Sequence, residues 1–259
     1  MKITEFNALG APVRGYLWDK PRRDGSLRTR PAVIICAGGC YRWLSPREKD
    51  PVAMEFFTFG AQVFLLEYST EELAKDYRPL RELAQTVVTI RERAEEFSVD
   101  PEKVLVLGFS AGGHLAASLG ALWNTPEAKV SPKSRPDGLI LCYPVISTRE
   151  FAHEESAMWV SGGDEELRDR LCLQNRITSD FPKAFIWHGG EDASVPPENS
   201  LMLTCRLKEA GVSVEYHLFD RGAHGISVCT EEVETPEEAC RPWVSLCKSW
   251  ISRNFDFKM

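Results

Sequence analysis

Residues Val104-Leu105-Val106-Leu107-Gly108-Phe109-Ser110-Ala111-Gly112-Gly113-His114-Leu115-Ala116-Ala117 read as a strand that turns directly into a helix, with Gly-x-Ser-x-Gly at the junction. The bare five-residue pattern is common by chance; its strand-before, helix-after setting gives it meaning. A serine on so sharp a turn takes up strained backbone geometry. Its neighbours two residues away must therefore lack side chains, and its Oγ is left exposed above a sheet at a helix N-terminus. That restricts the chain to folds whose strands lead into helices at one open sheet edge.

The remaining sequence obeys the same restriction. Short apolar runs at Ala32–Cys36, Gln62–Glu67, Lys103–Gly108, Gly138–Cys142, Ala184–His188 and Ser213–Phe219 alternate with longer amphipathic stretches, which predicts an α/β protein with a mostly parallel sheet. Leu80, Leu83, Ala84, Val87, Val88, Arg91, Ala94 and Phe97 recur at three- and four-residue steps and predict a crossover helix with one apolar face. Asp50-Pro51 and Gly60 bracket one helix, and Asn199/Ser200 and Gly211 another. Val13, Gly15 and Leu17, followed by a basic turn over Pro21–Arg30, fit an antiparallel edge before the parallel core. The stretch from Ile146 to Pro182 is longer than an ordinary connection and carries one helical candidate, Glu165–Asn175, so it is a candidate cap over a site. Arg241–Phe257 predicts a last helix packed on the sheet. No repeat or linker divides the chain, and a single domain over residues 1–259 is expected.

Composition removes several classes. With 31 Lys+Arg against 38 Asp+Glu the formal charge is −7, the wrong sign for a nucleic-acid partner. No window approaches the roughly 18 apolar residues of a membrane span, and no apolar segment follows the N-terminal Lys2, so a cytoplasmic protein without membrane contact is expected. Eight cysteines, at 36, 40, 142, 172, 205, 229, 240 and 247, form no Cys-x-x-Cys pair and read as reduced thiols. Cys36 and Cys40 lack the further ligands of a zinc site, His153-Glu154-Glu155-Ser156-Ala157 fails the His-Glu-x-x-His pattern at its last position, and no phosphate loop is present. Neither a metal nor an organic cofactor is expected.

A serine hydroxyl is a poor nucleophile at neutral pH. It needs a base to take its proton, and the base needs a carboxylate to fix its tautomer. Ser110 should find both downstream, beyond later strands. His224, in Gly222-Ala223-His224-Gly225 after the last strand, is the candidate base. His114 lies inside a helix, His217 within a strand, His188 at a strand end and His153 in the insertion. Asp192 and Glu191 both follow strand Ala184–His188 and compete as the acid. The charge that develops on a substrate carbonyl needs amide donors; Ala111 supplies one, and the glycine-rich loop Cys36-Ala37-Gly38-Gly39-Cys40-Tyr41 is placed to supply another.

On these residues the chain resembles the α/β-hydrolases of the acetyl esterase group, close to acetyl-xylan and other carbohydrate esterases. The resemblance runs from about residue 30 onward and rests on four motifs in order. They are Cys36–Tyr41 with Ser45-Pro46-Arg47-Glu48 behind it, Gly108–His114, Asp192-Ala193-Ser194-Val195-Pro196, and Gly222–Gly225. It implies an α/β-hydrolase fold with helices on both faces of the sheet and a short cap at 146–182. It favours Asp192 over Glu191 as the acid and assigns the oxyanion donors to Gly39, Cys40 and Ala111. The sequence departs from the family's His-Gly-Gly-Gly or Pro-Gly-Gly-Gly pattern at Ala37 and at Cys40, which stands in place of the third glycine. The implied activity is removal of a small acyl group, acetyl first, from a carbohydrate or other small ester through an acyl-Ser110 intermediate. An amidase, arylformamidase or peptidase with the same triad is the alternative, and a non-catalytic binding protein on this fold a more distant one. Tyr41 and Trp43, with Met158 and Trp159, are candidate pocket walls. The resemblance is compatible with a homodimer, although no segment marks an interface.

Overall fold

The computed structural model describes residues 1–257. Its strands are β1 (Lys2–Ala8), β2 (Ala11–Leu17), β3 (Arg30–Cys36), β4 (Gln62–Leu66), β5 (Val99–Phe109), β6 (Gly138–Cys142), β7 (Lys183–Gly189) and β8 (Val214–Phe219). The helices are α1 (Asp50–Thr58), α2 (Arg78–Glu92), α3 (Ala94–Phe97), α4 (Ser110–Leu122), α5 (Glu154–Ser161), α6 (Glu165–Arg170), α7 (Glu198–Glu209) and α8 (Trp243–Asn254). One sheet has the order β1-β2-β4-β3-β5-β6-β7-β8. The β1–β2 and β2–β4 pairs are antiparallel and the other five are parallel, as an α/β-hydrolase requires.

Apolar runs in the parallel strands lack polar alternation because both faces are covered. Ile34, Phe64, Val106, Leu139 and Ile186 point to one side with α2 and α4, whereas Val33, Ile35, Leu105, Leu107, Ile140 and Trp187 point to the other with α1 and α8. On this second face Trp243 of α8 stacks on Trp187 at 5.1 Å, so the last helix packs as its apolar face predicts. Among the described residues no helix is long and apolar enough to cross a membrane.

Several local expectations are corrected. Asp50 opens α1 but does not cap it; its carboxylate accepts the Tyr16 hydroxyl, which ties α1 to β2. Asn199 and Ser200 lie inside the first turn of α7, behind Pro197. The amphipathic stretch 80–97 breaks at Arg93 into α2 and α3. In the insertion the one expected helix becomes two: α5 ends at Gly162-Gly163, both with positive φ, and α6 stops at Arg170 before a short 3-10 turn, Leu173–Asn175. Two local caps missed in the sequence explain the starts, with His153 Nδ1 accepting the Ser156 amide and Asp164 accepting that of Leu167.

The turn from β5 into α4 depends on absent side chains. A Cβ on Gly108 would stand 2.1 Å from the Gly112 carbonyl oxygen, and one on Gly112 2.1 Å from that of Cys36. Behind the turn, fully buried His114 joins three segments, with Tyr41 Oη at 2.9 Å from Nδ1 and the Leu171 carbonyl at 3.1 Å from Nε2. A carbonyl only accepts, so the proton sits on Nε2 and Nδ1 accepts the phenol. The ring is satisfied only when neutral.

Two outcomes follow. Gly112→Ala should lose roughly 3 kcal/mol or more in urea unfolding, since the new methyl meets the backbone carbonyls of Cys36 and Ala37, whereas Gly163→Ala should cost about 1 kcal/mol for its left-handed φ alone. Equal losses would refute this account of the turn. Burial holds His114 down to about 4, below the ~6.5 of an unfolded chain. The unfolded state therefore binds the extra proton between these values, and stability should fall as pH drops from about 6.5 to 4, by about 3 kcal/mol from this group. NMR of the His114 imidazole should show it neutral through most of that window, with its midpoint only at the low end, at about 4; titration near 6.5 would contradict the assignment.

Candidate active site

Ser110 begins α4 with φ +51°, in the left-handed region, where the elbow forces a residue bearing a side chain. Its Oγ lies 2.8 Å from His224 Nε2, and His224 Nδ1 lies 2.7 Å from Asp192 Oδ2. All three stand at the ends of β5, β7 and β8 that face one edge of the sheet, as their sequence positions anticipated. The Asp192 side chain is wholly buried while His224 keeps 22% of its surface. Glu191, the rival acid, is exposed.

Asp192 is over-determined. Its Oδ1 accepts the amides of Ser194 (3.0 Å) and Val195 (2.9 Å), while Oδ2 takes His224 and, at 3.2 Å, His188 Nε2. Burial pushes the carboxyl up, but bonds from His188 and His224 outweigh it and bring the group down to about 2. His188 had seemed only to close a strand. It is fully buried, its Nε2 also 2.9 Å from the Val195 carbonyl and its Nδ1 2.8 Å from Ser200 Oγ. The carbonyl fixes a proton on Nε2, so His188 donates toward the loop carrying Asp192. Its place four residues before Asp192 was the available signal. Asn199 braces the same region, its Oδ1 accepting the amides of Ile146 and Ser147 at 3.0 Å.

The glycine-rich loop after β3 lies against the elbow, so close that a Cβ on Gly38 would sit 2.9 Å from Ser110 Cβ. Gly39 adopts φ +125°, and a Cβ there would fall 2.2 Å from the Trp43 carbonyl oxygen. Cys40 and Tyr41 both have φ +61°, so Cys40 occupies a glycine-like conformation with a side chain attached. Among the described residues no backbone carbonyl accepts the amides of Gly39 and Cys40. The Ala111 amide, in the first turn of α4, is free of an intrahelical partner by its position. Burial first, and then Glu155, push the Cys40 thiol up to about 11, which leaves it protonated and a poor nucleophile.

The pocket candidates separate. Trp43 is 50% exposed beside this loop. Tyr41, at 1% exposure, packs edge-on against Tyr68 and His114 inside the core, so it supports the loop from beneath and is no open wall. Met158 is 63% exposed, and Trp159 packs against the core. The insertion reaches the site through an ion pair between Arg42 and Glu155 at 3.1 Å. His217 pairs with Glu215 at 3.0 Å on β8. No cluster of three or more metal-ligating side chains occurs among the described residues.

Glu48 was seen only as part of a motif, yet it is buried beside the site. Its Oε2 accepts the Gly38 amide and its Oε1 the Tyr143 hydroxyl, both at 2.7 Å. Nothing in its hydrophilic surroundings, Pro46-Arg47-Glu48-Lys49, signalled burial.

Comparison with known proteins places this geometry. The chain is 34% identical over 215 residues to endo-1,4-beta-xylanase B of Butyrivibrio fibrisolvens, covering 78% of this chain and 33% of that protein. It is 27% identical over 208 residues to the acetylxylan esterase of Xylanibacter ruminicola, covering 77% and 42%. The chain thus spans between a third and a half of these two relatives. An acetyl ester-xyloside bifunctional hydrolase from Caldicellulosiruptor lactoaceticus superimposes with a TM-score of 0.84 at 33% identity, over 96% of this chain and 89% of that one. Residues 21–207 match the BD-FAE family, and with the sheet order and the Ser110, Asp192 and His224 geometry described above, the chain belongs to that family of α/β-hydrolases.

Proposed function

We propose that the protein is a serine carboxylic-ester hydrolase that removes a small acyl group, acetyl first, from a carbohydrate or another small ester. The observation that carries this is one imidazole bridging Ser110 Oγ at 2.8 Å and Asp192 Oδ2 at 2.7 Å. His224 takes the Ser110 proton as Oγ attacks the ester carbonyl, and the resulting imidazolium is stabilised by Asp192. The amides of Gly39, Cys40 and Ala111 are the donors to the oxyanion. The imidazolium then protonates the leaving alcohol. Water, deprotonated by His224, attacks acyl-Ser110 and releases the acid, restoring the serine. Trp43, exposed beside the glycine-rich loop, is the pocket-wall residue. The names of the relatives, an acetylxylan esterase and an acetyl ester-xyloside hydrolase among them, support an acetylated sugar as the substrate. Eight free cysteines, seven at least partly buried, are in keeping with a cytoplasmic location. The homodimer stays an expectation of the family resemblance.

Hydrolysis of p-nitrophenyl acetate should exceed that of the butyrate and octanoate, and Ser110→Ala should lower kcat by about a thousandfold or more. Background rates in the parent, together with resistance to a fluorophosphonate probe, would defeat the esterase reading. At the oxyanion loop, Cys40→Gly should keep at least parental kcat, because glycine relieves the left-handed strain and leaves the amide in place. Cys40→Val should lose activity or fail to fold, since a β-branched residue tolerates φ +61° poorly. A severe loss in Cys40→Gly would show that the thiol itself is needed.

A further inference from the structure

The triad mechanism makes no use of Glu48, although this carboxyl is 2% exposed and directly beneath the two loops that do the chemistry. On one side it accepts the amide of Gly38, the residue before Gly39 and Cys40. On the other it accepts Tyr143 Oη, which in turn accepts the Ser227 amide at 2.9 Å. Ser227, three residues after His224, is held at its other polar groups too: its hydroxyl donates to the Arg47 carbonyl at 2.6 Å, and its carbonyl accepts Trp243 Nε1 at 2.9 Å. The Tyr143 ring meets the His224 ring edge-on at 5.1 Å.

Counting protons decides the charge. With Glu48 ionised, the Gly38 N–H, the Tyr143 O–H and the Ser227 N–H each have one acceptor. Were Glu48 protonated and donating to Tyr143, the phenol oxygen would accept twice and its own hydrogen would lack a partner in this network. Burial pushes the Glu48 carboxyl above its ordinary range, and Tyr143, Gly38, His224 and Arg47 offset this only in part. Burial, then Glu48, hold the Tyr143 phenol protonated.

We propose that Glu48 is a positioning residue of this site: ionised in the resting protein, it fixes the oxyanion loop through Gly38 and the His224 loop through Tyr143, and its charge favours the imidazolium that His224 becomes. This rests on the esterase reading given above. His224 is faced by Asp192, Ser110, Tyr143 and Glu48, by His153 across the insertion, and by Arg47, whose Nη2 lies 3.5 Å from the place of a Cβ on Gly225. Tyr68 and Cys142, both buried, also feel the Glu48 charge. Asp192 and Glu48 are thus the two acids that favour the imidazolium, and His153 and Arg47 oppose it when charged.

The test compares Glu48→Gln, Glu48→Asp and Tyr143→Phe with the parent on p-nitrophenyl acetate across pH. Glu48→Gln should lower kcat about ten- to hundredfold with KM within about twofold, because the reacting groups are misplaced while the substrate still enters. Its acidic limb should move to lower pH by about half a unit or more, since an anion near the imidazolium is gone. Glu48→Asp, which keeps the charge, should restore the limb. Tyr143→Phe keeps the charge but cuts the link to Ser227, so kcat should fall at least about fivefold with the limb in place. A Glu48→Gln variant with parental kcat and an unmoved limb would overturn the proposal, as would a parental Tyr143→Phe if Glu48→Gln does not fold. If the parent itself neither hydrolyses esters nor labels with the probe, the esterase reading fails separately; NMR titration of His224 in parent and Glu48→Gln then still reads the charge, and coincident midpoints would reject it.

Discussion

Everything at this site hangs on the contact between Gly112 and the carbonyls of Cys36 and Ala37. The ideal Cβ at Gly112 would lie 2.1 and 2.5 Å from these oxygens, so the start of α4 touches the end of β3 with nothing between them. This approach lets one strand end carry Ser110 and its neighbour carry the glycine-rich loop directly against it. A methyl inserted there would part Ser110 from the glycine-rich loop. Strain at Ser110, Cys40 and Tyr41, all in the left-handed region, is concentrated at this seam, where the surrounding packing holds it.

Around the seam the structure spends its buried polar groups on loops rather than on strands. Asp192 receives four donors, His114 ties the elbow to the loop below Tyr41, and Tyr68 donates to the Ala37 carbonyl at 2.6 Å. Loops are ordinarily the softest parts of an α/β protein, and here side chains from neighbouring elements stiffen them. Of Ser110, Asp192 and His224, the imidazole keeps the most exposure.

The strands, their parallel order and the Ser110, Asp192 and His224 positions were legible because each depends on local pattern: an aliphatic run, a glycine spacing, an acid or a histidine just past a strand. What escaped was long-range. Asp50 and Asn199 look like helix caps from their neighbours, yet Tyr16 and the Ile146–Ser147 amides, distant in sequence, claim their side chains. Glu48 gave no local sign and His188 only its spacing from Asp192, because their worth comes from partners that only the closed fold supplies. Tyr41 was misplaced for the converse reason: its position at the end of the glycine-rich loop is local, but its ring packs inward against Tyr68 and His114.

The link from Tyr41 through His114 to the Leu171 carbonyl joins the glycine-rich loop to the insertion by a main-chain atom, not a side chain. The Leu171 side chain, buried in the core, holds that carbonyl in place, so the link asks only for an apolar residue of similar size at 171. The outer faces of α5 and α6 carry Glu154, Met158, Glu165, Glu166 and Asp169 into solvent. Such a segment is open to wholesale rewriting of its surface chemistry while its anchorage stays put, which makes it the natural place to graft new recognition onto this scaffold.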